Sequence, residues 1–531
     1  AAGLPSCEKG LDIMRLFARV VIAGHYIRYI DFRNSLGIAT SNNSCYDECR
    51  TGLVDTEFFE TFFGGTSCDW RNTMRLFIFL AVVLSLGTFQ AFAQEPFTHE
   101  QKILSLVEPY LEHKKVNSVS IGVIADGKTW KRSFGTLTID KALAANDRTL
   151  YEIGSISKVF TSILLADAIE SGKLKLDDPI SAVMNELAEK NPTVGNSITF
   201  RHLSHHLSGL PVMPPNIAPA DPTNPFKGYD RVKLSEYMYS AVLARKPGEE
   251  YEYSNLGVGL LGDLLSQQAG VSYEDLLREK ITRPLGMMDT TIALSNEQSI
   301  RFAPPHNSAL LSDHAWDFDS LAGCGGIRST LDDMLLFAQA SLNPPDGPLG
   351  KSLDLAWKQH KPPVNGNHAM GLGWMIAGDG STRWHNGQTG GFPSMLLVSR
   401  DLKCATVMLC NTAEMQLDSL AEQIFQTAVG LNVKPMTFEK EFKVDPEVAK
   451  RLAGKYQLAP GIVLTVQVKE GRMIAQLTGQ QFLGLSPTSD TEWKYQAVDA
   501  ILKFELPESG SSTKVTLFQN GRELPCLRIP E

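Results

Sequence analysis

The pattern of apolar and polar positions divides the chain into stretches of different period. Residues 97–115 place Ile103, Leu104, Leu106, Val107 and Leu111 on one side of a helix, with a charged opposite face. "SVSIGVIADG" and "TWKRSFGTL" follow and predict strand, turn, strand. A second apolar run of helical spacing starts near Ser155 and is closed by Gly172. From about 175 to 345 the chain is rich in turns and short helical stretches. Strand-like segments return at "GLGWMIA", "STRWHNG", "SMLLVSRD" and "CATVMLCN", before a last helix in "EMQLDSLAEQIFQTAVG". Helices before and after a late sheet, around a helical middle, predict an α/β plus all-α arrangement.

Near residue 435 the period changes to two. Leu464, Val466 and Val468 alternate with polar residues, and Met473, Ala475 and Leu477 return on the same parity after a Lys469-Glu470-Gly471-Arg472 turn. Val515 and Leu517 precede Asn520-Gly521, a strong hairpin signal. This predicts a small all-β sandwich or barrel over residues 436–531, with the boundary at 435–445. Residues 94–435 then form one catalytic-sized domain.

The N-terminal part reads differently. Residues 1–73 hold four of the eight cysteines (Cys7, Cys45, Cys49, Cys68) and no sustained period. Met74-Arg75, the apolar run Leu76–Phe89 and the small residues Ala91 and Ala93 have the layout of an export signal, cleaved before Gln94. The run of about 14 residues is shorter than the roughly 20 that a membrane span needs. The expectation is therefore a signal peptide at 74–93, upstream read-through at 1–73, and a periplasmic or secreted product with no stable membrane span. Cys324, Cys404, Cys410 and Cys526 remain after it, without C-x-x-C or metal spacing.

Composition adds exclusions. Of 531 residues 43% are apolar and 21% charged, ordinary for a globular protein, and the net charge of −9 comes with no basic stripe for nucleic acid. Length alone suggests more than one domain.

Three short motifs carry candidate chemistry. In Ser155-Ile156-Ser157-Lys158, a serine and a lysine three residues apart share a helix face. A serine needs a base to become a nucleophile, and a lysine shielded from water can share that task. Ser157 is the weaker candidate, since Phe160 stands three residues on. Tyr253-Ser254-Asn255 offers a phenol as proton carrier and an amide to hold a carbonyl. His385-Asn386-Gly387, with Gly390-Gly391, opens a strand edge to close approach. Each alone is better explained as a helix cap, a core tyrosine or a glycine-rich hairpin.

In this order the three triplets resemble those of the penicillin-recognising serine hydrolases, which include class C β-lactamases, D,D-peptidases, aminopeptidases and β-lactamase-like esterases. "ITFRHLSHHLSGLP", "RPLGMMDT", "AGCGGIRSTLDDMLLF" and "GLGWMI" also resemble family segments, over roughly residues 97–432. The resemblance implies an antiparallel sheet flanked by helices with a helical subdomain, and the tail resembles a small lipocalin-like barrel. It implies catalysis by Ser155, Lys158 and Tyr253, with the backbone N–H groups of Ser155 and Gln388 as oxyanion hole. Asn255, His385, Asn386, Gly387 and Thr389 would bind the substrate. No metal or cofactor is implied, and the partner is a small molecule: a β-lactam, an ester or a D-amino-acid peptide. Histidine stands where class C β-lactamases usually carry lysine, so the substrate is the open question. A non-catalytic binding protein would be expected to have lost the serine, lysine or tyrosine. Arg201-His202 and His205-His206 look like metal ligands, but no carboxylate or cysteine joins them at ligand spacing.

Overall fold

The computed structural model describes residues 97–138, 143–360, 369–414, 416–438, 442–480, 482–496 and 498–530. The expected leader and the residues before it lie outside them. Among the described residues no helix is long and apolar enough to cross a membrane.

Among the described residues, nine strands belong to the first body: β1 (Ser118–Ala125), β2 (Lys128–Gly135), β3 (Leu150–Glu152), β4 (Arg328–Thr330), β5 (Ala369–Met370), β6 (Met375–Ile376), β7 (Thr382–Gln388), β8 (Pro393–Ser399) and β9 (Cys404–Cys410). Seven form one antiparallel sheet in the order β2-β1-β9-β8-β7-β6-β5, while β3 and β4 pair separately. The predicted hairpin is present: Asp126 and Gly127, at φ 51° and 71°, join β1 to β2.

Helices cover both faces of the sheet. They are α1 (Glu100–Glu112), α2 (Ser157–Glu170), α3 (Asn255–Ala269), α4 (Leu331–Leu342), α5 (Pro348–Trp357) and α6 (Leu417–Ala428). Val119, Ile121 and Val123 of β1 pack with Ile103 and Leu106 of α1 and Leu420 and Ile424 of α6. The opposite face, with Leu396, Val398, Val407 and Leu409, packs into a core shared with α2, α3 and α4. A side chain at Gly122 would stand 2.7 Å from Leu335, so α4 lies directly on the strand. Because both faces are covered, β1 and β9 are buried along their whole length, and their near-continuous apolar character follows.

The tail folds as a closed barrel of eight antiparallel strands, entered by the short helix α7 (Pro446–Leu452). The strands are β10 (Gly454–Ala459), β11 (Ile462–Lys469), β12 (Arg472–Leu477), β13 (Leu483–Pro487), β14 (Glu492–Tyr495), β15 (Ala500–Glu505), β16 (Lys514–Gln519) and β17 (Arg522–Ile529). The parity seen in the sequence is the register: Leu464 opposes Leu477, Val466 opposes Ala475 and Val468 opposes Met473. Asn520 and Gly521 take positive φ at the β16–β17 turn, as their types suggest. Closure leaves no sheet edge unpaired.

Candidate active site

The candidate site is built where the chain leaves β3. Ile153 still donates to Ile327 O, and then Gly154 takes φ +48° and turns the backbone into a single 3-10 turn, Gly154–Ile156. Helix α2 begins only at Ser157, so Ser155 precedes the helix rather than opening it. A side chain on Gly154 would stand 2.7 Å from the Gln388 nitrogen, and one on Gly387 would stand 2.1 Å from Ile153 O. Two absent side chains thus let the Ser155 turn lie against the end of β7. Ser394, opposite Gly387 on β8, ties the two by donating to Ile153 O at 2.9 Å.

Lys158 stands in the first turn of α2 and is fully buried. Its ammonium donates to Ser155 Oγ at 3.0 Å, Asn255 Oδ1 at 2.8 Å and the Cys324 carbonyl at 2.6 Å. Three oxygens surround the amine without a carboxylate, and at 3.0 Å the Ser155 hydroxyl is close enough to hand its proton to the neutral form of the amine. The amine also lies 4.8 Å from the centre of the Tyr253 ring. Ser157 is not part of this cluster: its oxygen accepts from the Ile327 N–H on the other side of the turn.

Asn255 is the first residue of α3, and Ser254 caps that helix by accepting from Gly257 N–H at 2.8 Å. The Ser254 N–H donates to His206 Nδ1 at 3.1 Å, and the His206 ring stacks on Tyr253 at 4.4 Å between centroids. Burial first, and then the Lys158 charge, hold His206 well below the ordinary histidine range, so it is a neutral platform. This histidine came from the segment that looked like a metal site. Among the described residues no cluster of three or more His, Cys, Asp or Glu could hold a metal. His206 instead positions Tyr253, a role that single-sequence spacing did not reveal.

His385 lies on β7 and is 2% exposed. Its ring sits 6.5 Å from that of Tyr253. Burial, followed by the Lys158 charge, pushes its pKa down to about 3. Nδ1 lies 2.6 Å from the Asn386 carbonyl, which can only accept, so Nδ1 carries the proton. Nε2 is then a buried acceptor with no hydrogen-bond partner among the described residues. Gln388 ends β7, and Thr389 is buried in the turn after it, its N–H donating to Phe392 O.

Asn386 is not brought to this group. Strand alternation sends its side chain to the other face, where it donates to Asp418 of α6 at 2.7 Å. The Ser155 turn also rests on residues that the motifs do not contain. Glu152, at the end of β3, is buried against Arg328, with 3.1 Å between Oε1 and Nη2, and accepts from Trp316 N–H. Burial raises its pKa against the lowering effect of Arg328. The four described cysteines are free and buried, and burial pushes the Cys324 thiol up to about 11, so only its carbonyl serves the site.

A serine hydroxyl held by a buried amine, a tyrosine ring packed against the same amine, and two backbone segments in contact can support acyl transfer. Comparison with known proteins places the chain more closely. The family model "Beta-lactamase" matches residues 103–429. The chain belongs to the beta-lactamase family. It is similar to a "Beta-lactamase" of Escherichia coli (strain K12), 29% identical over 306 residues, covering 56% of this chain and 74% of that protein. It is also similar to the "D-alanyl-D-alanine-carboxypeptidase/endopeptidase AmpH" of the same organism, 31% identical over 279 residues, covering 51% of this chain and 70% of the relative. The solved structure of "A class C beta-lactamase" shares the fold with TM-score 0.56 at 22% identity, covering 64% of this chain and 99% of that one. The barrel lies outside the range that the family model matches.

Proposed function

We propose that this protein is an exported serine hydrolase that forms an acyl-enzyme on Ser155 and opens the amide bond of β-lactams. The observation that carries the reading is the 3.0 Å contact between Lys158 Nζ and Ser155 Oγ. Ser155 Oγ attacks the acyl carbon as its proton passes to the Lys158–Tyr253 pair, which then protonates the departing nitrogen. The pair acts as one coupled unit, so its two members share the roles of base and acid. The N–H groups of Ser155 and Gln388 receive the oxyanion, where losing one donor typically costs about 2.7–4 kcal/mol. Asn255, already bonded to Lys158, holds the acyl amide. Water then releases the product acid. Gly387 gives the substrate room along β7, and Thr389 lies at the end of that strand. Export rests on the Met74–Ala93 pattern, and a mature N-terminus at Gln94 is the expected mass-spectrometric result.

A second reading places a carboxylesterase or D-amino-acid peptidase on the same site, and His385 favours the esterase. A neutral ring offering a lone pair at Nε2 gives a substrate carboxylate no donor, whereas an uncharged ester needs none. Side-by-side turnover of a chromogenic cephalosporin and a short-chain nitrophenyl ester separates the two. Cephalosporin turnover that depends on Ser155 supports the first reading. Ester turnover alone discards it in favour of the second, and undiminished turnover by Ser155→Ala discards both.

A further inference from the structure

Away from Ser155, a cavity of about 970 Å3 opens where the sheet body meets the barrel. Separate stretches of chain converge on it: the residues after α1, the segment that enters the barrel, and strands of the barrel itself. Each brings positive charge, as Lys114 and Lys115, Lys443, and Arg472 and Lys494. Among the described residues, Glu414 is the one carboxylate in the lining. In a chain of net charge −9 the described lining is locally positive. Among the described residues, none of the four lysines has a carboxylate within ion-pair distance. Lys115 instead lies over the Phe438 ring at 5.3 Å.

Isolated lysines on a convex surface are ordinary and need no ligand. Here they ring a concavity that also holds apolar and neutral polar surface. Phe442 lines it with 43% of its surface exposed, beside Phe438 and Tyr495. Ser308, Thr437, Gln416 and Gln496 add neutral hydrogen-bonding groups. Ring faces suit the C–H faces of sugars, hydroxyl and amide groups suit their hydroxyls, and ammonium groups suit acid substituents. None of the lining residues belongs to the Ser155 cluster.

We infer that this groove is a second binding site, for an acidic oligosaccharide. The probe is a galacturonic acid hexamer titrated into the full chain by calorimetry at low ionic strength, with maltohexaose as the neutral counterpart. The acidic hexamer binds the wild type and weakens as salt is raised, and maltohexaose does not bind. Lys443→Glu/Lys494→Glu weakens the acidic hexamer at least about tenfold. Lys173→Glu/Lys351→Glu, an equal charge change on exposed residues outside the groove, leaves it within about twofold. Phe442→Ser weakens it without changing net charge, which keeps the test sound if the double reversal folds poorly. Equal weakening in the two double variants, or no binding of the acidic hexamer, overturns the site. Binding of a linear polyphosphate of equal charge as tight as that of the hexamer, unaffected by Phe442→Ser, overturns its assignment to a saccharide.

Discussion

On one side of the Ser155 turn, Lys158 is fully buried and its ammonium meets three oxygens. On the other, His385 is equally enclosed, yet one ring nitrogen has no hydrogen-bond partner among the described residues and its pKa falls to about 3. The two groups flank the same Tyr253 ring with opposite outcomes. The amine is met by backbone and side-chain oxygens that are already in place. A buried imidazole with one carbonyl neighbour, near that amine, stays neutral. In the proposed mechanism the lysine side takes part in proton transfer with the serine, and the histidine side supplies shape and a lone pair.

The largest expected effect removes the lysine side's target. Ser155→Ala should reduce kcat by about 10⁴-fold or more, measured with whichever substrate the wild type turns over best. Lys158→Met should follow, with a loss of about 10²–10⁴; a loss under tenfold would move the proton acceptor elsewhere and break the comparison. Gly154→Ala adds a side chain 2.7 Å from Gln388 N at φ +48°. It should lower stability by about 1–3 kcal/mol and turnover by roughly a hundredfold, read from urea midpoints and kcat on the same preparation.

The histidine side is tested by pH. His205 and His385 fall to about 4 and about 3, from an ordinary 6.5, and His206 falls as well. The unfolded chain takes up protons below 6.5 and the native one does not. Stability from these groups is therefore complete above pH 6.5 and is lost as pH falls toward 4, by up to about 1.4 kcal/mol per group per pH unit. A flat urea midpoint between pH 7 and 5 would contradict their burial as neutral rings. The smallest effect is a shift in preference. His385→Lys should raise β-lactam turnover, and raise it relative to ester turnover by about tenfold, limited by repulsion from Lys158.

Much of this arrangement was legible from residue order. An all-β tail followed from parity and an Asn-Gly turn, which left sandwich and barrel open; the barrel was implied by the resemblance. Ser155, Lys158, Tyr253 and Asn255 were found together because their triplets are local in sequence and the structure brings three such triplets to one place. What was missed is non-local or belongs to the backbone. The Cys324 carbonyl carries no side-chain signal. His206 looked like half of a metal pair and serves as a wall for Tyr253. Asn386 was grouped with His385 by adjacency, but neighbouring strand residues face opposite ways, and its partner Asp418 is distant in sequence. Glu152 pairs with an arginine that lies in β4, far along the chain.

The most direct measurement traps the intermediate. Intact-protein mass spectrometry after brief exposure to a slowly released penicillin should show one added acyl mass, on the tryptic peptide that contains Ser155. The same adduct should be absent in Ser155→Ala. An adduct on any other residue, or retention of the adduct in Ser155→Ala, would contradict the assignment of the nucleophile and the account of the cleft with it.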